Sequence, residues 1–264
     1  SLLGAGRDAN LVFSLTRLNL PQLMSAMWFA GVAFLINQTN GWWRANKDRV
    51  VLLLPLFLFF SLTLVELWPY EPFKELVKED NVIENAQFWV LFLGGCFNLS
   101  KSWSLLRKRQ YWQSGFMLLA GLGFIFIAGD EIAWGQRVFG FEVSESIKEA
   151  NRQDELTVHN LETFEWLVIY GYIAISAFGV FAKQLAEVVA ILLKSTKKLE
   201  KYVALLPDEK LFFYYLLPLI LFVEQQRMMW GIWHAWSEVA ELYLYAGVVL
   251  WMTQLTSHEF FTKK

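Results

Sequence analysis

Apolar positions along this chain fall in long uninterrupted blocks, with the polar positions gathered between them. The blocks lack the alternating spacing of a soluble core. Runs of about 20 apolar residues match a helix crossing the hydrocarbon of a bilayer. The pattern predicts helices over roughly 11–37, 50–68, 84–106, 112–131, 161–193, 208–232 and 236–255. It reads as an all-α, polytopic transmembrane bundle of about seven spans, in a single integral membrane domain covering 1–264.

Several boundaries have a physical cause. Pro21 suits the start of the first helix, where a missing amide donor does least harm. Pro69 and Pro72 stop the second near Glu66. A single helix from Asp208 to Thr256 would be roughly 70 Å long, over twice the hydrocarbon thickness. A tight turn is therefore expected near Gly231 to Trp236.

Charge gives the orientation. The loops after the first, third and fifth helices carry Arg44, Lys47, Arg49, Lys101, Arg107, Lys108, Arg109, Lys194, Lys197, Lys198, Lys201 and Lys210. Lys263 and Lys264 end the chain. The loops after the second, fourth and sixth helices are acidic. Basic loops stay in the cytoplasm, so the expectation is an N-terminus outside and a C-terminus in the cytoplasm. Most carboxylates then converge on the outer face. Three similar hairpins can also be read: the ascending helices end in Glu66, Glu131 and Glu224, followed by Trp68, Trp134 and Trp230. Repeats of this kind build many membrane folds.

Composition narrows the classes. The chain is 56% hydrophobic and 18% charged, less charge than a soluble domain of this size normally carries. The net charge of −2, without a basic stripe, argues against a nucleic-acid partner. Cys96 is the lone cysteine, which excludes an intrachain disulfide or a thiolate cluster. Ser1 to Asn10 lacks the pattern of a cleavable signal peptide.

Candidate chemistry concentrates between Phe124 and Trp166. Asp130 and Glu131 close an apolar helix at the interface, where a carboxylate below the headgroups is costly and marks function. Adjacent acids on a helix point apart, so one is expected inward, and Glu131 is the choice. Gln136, Arg137, Asn151, Gln153, Glu155, His159 and Asn160 follow in one polar connector. Arg137 can grip a phosphate or carboxylate in a fork, and His159 can carry a proton or ligate a metal. Asn160 serves equally as a helix N-cap, and Arg137 as a structural partner of Glu131 or Glu155.

Glu224, Arg227, Gly231 and His234 share a helical spacing, continued by Glu238 and Glu241. A divalent cation could sit on such a set, but the expected turn interrupts the register and Glu224 with Arg227 serves as an ion pair. Metal is not favoured. A three-His site would need His258, on the opposite side in this topology. Glu66, Asp80 and Glu84, diluted by Lys74 and Lys78, read as a solvated connector. Phosphate-binding loops and the metalloprotease, serine-hydrolase and thiol-redox motifs are missing.

The run Gly-Asp-Glu-Ile-Ala-Trp-Gly-Gln-Arg-Val-Phe-Gly-Phe at 129–141, then Asn-Arg-Gln-Asp-Glu-Leu-Thr-Val-His-Asn-Leu at 151–161, resembles the signature of a group of multi-pass bacterial membrane proteins without an established activity. Its pattern is an acidic pair, Ile-Ser-Trp-Gly-Gln-Arg, Asn-x-Gln-x-Glu and His-Asn-Leu. Ala133 stands at the Ser position and Asp130 at the first Glu, so no hydroxyl nucleophile is expected there. The resemblance implies a bacterial origin and, with the loop charges, the inner membrane.

Three functions fit. The first is a periplasm-facing polar pocket, a site that either binds or also acts on an anionic lipid-like amphiphile. Glu131 and His159 would be its acid–base groups; Asp130, Gln136, Arg137, Asn151, Gln153, Glu155, Asn160, Glu224, His234 and Glu238 would be its ligand-binding set. The second is a proton or cation transporter, against which stand the apolar inner halves of the fourth and sixth helices. The third is an accessory subunit docking other membrane chains through its 13 Trp and 23 Phe. Membrane lipids are the expected partners in each case.

Overall fold

A computed structural model describes residues 42–67, 70–78, 81–136, 143, 144, 157, 165–192, 202–228 and 232–257. The helices are α1 (Trp42–Leu67), α2 (Tyr70–Val77), α3 (Val82–Arg107), α4 (Tyr111–Glu131), α5 (Glu165–Leu192), α6 (Phe212–Met228) and α7 (Ile232–Ser257). No strand occurs among the described residues. The predicted first helix, 11–37, lies outside them, as do Arg137, Asn151, Gln153, Glu155, His159, Asn160 and His258.

The predicted boundaries shift in four places. α1 begins at Trp42, eight residues before the apolar run, because a helix can extend through its polar interfacial turns. The connector after it holds α2, which tolerates Pro72 in its first turn, where no amide donor is required. A 3-10 turn, Glu209–Leu211, precedes α6. The last two helices meet earlier than expected: α6 ends at Met228 and α7 is already helical at Ile232, so Trp236 belongs to the helix and not to a turn.

Chain contacts separate two units, Ser1–Leu76 and Val77–Lys264. In the first, α1 exposes Leu53, Phe57, Phe60, Leu64 and Leu67, spaced three and four apart along one face. In the second, α3 packs along α4, α5 on α6, and α7 against both α6 and α3.

Three helical segments are long and apolar enough to cross a bilayer: Asn46–Leu67, Tyr111–Glu131 and Trp166–Leu192. They mark the chain as membrane-associated. α3 and α7 are 26 residues each, but carry Gln87, Asn98 and Ser102, or Glu238 and Glu241, within their length.

Glycines allow the closest crossings. A β-carbon on Gly95 would lie 3.1 Å from the Gly121 carbonyl oxygen, and one on Gly121 3.1 Å from that of Gly95, so α3 and α4 touch backbone to backbone. Near the other end of this pair, Ser102 and Ser114 donate to each other's carbonyls at 2.8 and 2.9 Å. Gly179 of α5 leaves room for the ring of Tyr215, which also faces Gly247 of α7. α3 and α7 run parallel: Gln87 meets Glu238, and Gly94 meets Val249. One end of this unit thus gathers the starts of α3, α5 and α7 with the close of α4 and α6.

Candidate functional site

α4 ends in an unusual way. Ala133, Trp134 and Gly135 all have positive φ, at 46, 53 and 77°. Only glycine adopts this region without strain. The turn folds the Trp134 indole back over α4, where a β-carbon on Gly129 would lie 2.8 Å from it. Phe126 meets the same indole edge-on at 5.2 Å. Ala133 has no exposed surface, so its small side chain fits a closed space. Gly129, Ala133, Trp134 and Gly135 therefore shape the end of α4.

Both acids are buried, Asp130 at 5% exposure and Glu131 at 4%. Burial is thus common to the two, although adjacent positions on a helix point in different directions. Glu131 sits at a helix C-terminus, where the backbone dipole disfavours a negative charge. It needs donors, and α7 brings one.

Tyr245 Oη donates to Glu131 Oε1 at 3.0 Å and reaches Glu241 Oε2 at 3.3 Å. Tyr172 of α5 hydrogen-bonds to the same Tyr245 hydroxyl. One phenol thus joins three helices. On the adjoining face of α7, Gln87 Nε2 donates to the Glu238 carbonyl at 2.7 Å and meets Glu238 Oε2 at 3.3 Å. Gln87 is fully buried. Glu241 lies close enough to Glu238, Glu131 and Glu84 to be repelled by each. Glu84, in the first turn of α3, is half-buried and adds the weakest of these repulsions.

The arrangement is a carboxyl–phenol network, with Glu131 and Tyr245 buried and Tyr172 and Glu241 half-buried. Three contacts, Tyr172 with Tyr245 and Tyr245 with each of two carboxyls, share two phenolic protons. A third proton, on Glu131 or Glu241, completes all three. Without that proton, Tyr245 can donate to only one of the two carboxylates and one contact is left without a hydrogen.

Of the other expected residues, Gln136 is half-buried just past the turn. Glu224 is half-buried near the close of α6, at the same end of the bundle. Arg227 and His234 lie on α6 and α7. Among the described residues, no three His, Cys, Asp or Glu side chains are grouped to hold a metal ion.

Tyr172, Tyr245 and Gln87 are additions that the sequence reading missed. A signal was present for one: Glu238, Glu241 and Tyr245 follow helical spacing, so the phenol shares a face with both acids. Amid so many aromatic residues it reads as lipid contact.

No protein-family model matches the chain, and neither a curated protein nor a solved structure matches it at a significant level.

Proposed function

We propose that this chain is a polytopic protein of the bacterial inner membrane that binds a lipid-like amphiphile at the acidic end of its bundle and acts on it by acid–base chemistry. The observation that carries the reading is the phenol of Tyr245, buried between Glu131 and Glu241 and tied to Tyr172. A proton-exchanging group of this kind, one helix end away from headgroup level, suits chemistry on an amphiphile whose polar part enters from the membrane boundary. Glu131 is the proton carrier in this proposal, and Tyr245 its donor and positioner. The motif and connector supply Arg137 for an anionic group of the ligand and His159 as the second acid–base residue, both assigned from sequence.

Supporting the orientation, the acidic network lies at one end of α3–α7, while Arg107, Lys108, Arg109 and Lys210 lie at the other. That division fits cytoplasmic basic loops, a periplasmic site and a cytoplasmic C-terminus. α3 and α7 then also cross, with their polar side chains directed inward.

The test is native mass spectrometry and lipid extraction of the purified protein, with Glu131→Gln and Arg137→Ala beside it. A copurifying anionic amphiphile is expected on the parent chain, held at least tenfold more weakly by Arg137→Ala and unprocessed by Glu131→Gln. Absence of any specific lipid, with proton flux in liposomes that Glu131→Gln abolishes, would replace this reading by a proton pathway.

A further inference from the structure

At the opposite end of the bundle, α3 and α4 are joined by a rigid turn. Lys108 N and Gln110 N both donate to the Leu105 carbonyl at 3.0 Å, and Arg109 N to that of Leu106 at 2.9 Å. Arg109 holds a left-handed φ of 60°. The reciprocal Ser102–Ser114 bonds lock the two helices just behind it.

This turn presents Arg107, Lys108 and Arg109 to the outside, side by side. Among the described residues no carboxylate pairs with any of them. Three adjacent cations repel one another and favour an external anion. Aromatic rings surround them: Trp103 is 58% exposed, Tyr111 65% and Trp112 88%. The Arg107 guanidinium lies over the Trp103 ring, 5.3 Å from its centroid, which fixes one cation in place. Below, Trp112, Phe116 and Leu119 form an exposed apolar stripe along α4. Since α4 is apolar and long enough to cross a bilayer from Tyr111 onward, the cations sit where the headgroups begin and the stripe lies among acyl chains.

We infer that the α3–α4 turn is a binding site for an anionic phospholipid of the surrounding leaflet. Its phosphate lies against Arg107, Lys108 and Arg109, and its chains run down the Trp112–Phe116–Leu119 stripe. Charge complementarity selects the lipid, and the indoles set its depth. The site is independent of the acidic end and stands whether or not that end processes a ligand.

The test uses the full chain in nanodiscs of phosphatidylcholine doped with photoactivatable phosphatidylglycerol, with cross-links mapped by peptide mass spectrometry. Cross-links are expected on the segment from Trp103 to Leu119. Unlabelled phosphatidylglycerol should compete them away at about tenfold lower concentration than phosphatidylcholine does, from a contribution that each basic group makes. The Arg107→Gln, Lys108→Gln, Arg109→Gln triple variant should lose that preference while cross-links on α5 stay unchanged. Salt near 1 M, which shortens screening to about 3 Å, should also erase it on the parent chain, so the result does not hang on the variant folding. Equal competition by the two lipids, or a triple variant that keeps the preference, would overturn the assignment. So would an equal loss of cross-links on α5, which would mark a general field effect.

Discussion

A single hydroxyl carries unusual weight in this molecule. Tyr245 meets Glu131, Glu241 and Tyr172, whereas Tyr172 reaches the network through Tyr245. Removing the Tyr245 hydroxyl takes a donor from the buried Glu131 and the half-buried Glu241, which costs about 1–3 kcal/mol, more for charged groups. Removing that of Tyr172 takes away one contact, worth about 1 kcal/mol. Tyr245→Phe should therefore lower the unfolding temperature in detergent more than Tyr172→Phe does. The double variant should resemble Tyr245→Phe alone, with a coupling of about 0.5–3 kcal/mol, because both changes break one network. Additive losses would show that the two phenols act separately. The same residue scale explains what the sequence hid. Acids near helix ends announce themselves, since a buried carboxylate is expensive. A tyrosine in a chain with 9 of them does not, because its ring is at home in lipid whether or not its hydroxyl is used.

At the scale of helices, the long apolar runs made most of the elements legible. α3 and α4 begin and end within two residues of expectation, because Asn81 and the basic turn punctuate them. α2 was not foreseen: eight residues are too few for a reliable helical pattern, and Pro72 argues against helix unless it falls in the first turn. Which helices pair was less readable still, because hydropathy says nothing about shape. Glycines decide it. On α5, a β-carbon at Gly179 would collide with the ring of Tyr215, which is buried between Gly179 and Gly247. Gly171 lies two turns earlier on the same helix and has open space where its β-carbon would go. Gly179→Ala should destabilise the protein by about 1–3 kcal/mol through overpacking. Gly171→Ala should be neutral or slightly stabilising, since alanine is the better helix former by about 1 kcal/mol. Thermal unfolding of the two variants in one detergent distinguishes them, and equal effects would mean that α5 and α6 do not approach through Gly179.

For the whole molecule, the decisive quantity is sidedness. The five helices of the second unit place Glu131, Glu238 and Glu241 toward one end and Arg107, Lys108 and Arg109 at the other. α4 is 21 residues long, or roughly 30 Å at the helical rise, which is the hydrocarbon thickness of a bilayer. Two groups of exposed aromatic residues bracket that length. Trp89, Trp134, Trp166 and Tyr170 lie toward the acidic end, and Trp103, Tyr111, Trp112 and Tyr202 toward the basic end. Such belts sit at the two interfaces of a membrane. Cys96 falls between them, midway along α3, and its side chain is exposed. In the proposed bundle, where α3 crosses beside α4, that side chain faces acyl chains, so a membrane-impermeant maleimide should fail to modify Cys96 in intact cells and in inverted vesicles alike, yet react once detergent replaces the bilayer. With Cys96→Ser as background, the proposed orientation has Lys108→Cys reacting only from the cytoplasmic side and Ser144→Cys only from the opposite one. Labelling of both new cysteines from one side would remove the crossing of α4. Labelling of Cys96 in either intact preparation would put α3 in water, and the network of Tyr245 would then belong to a surface and not to a membrane core.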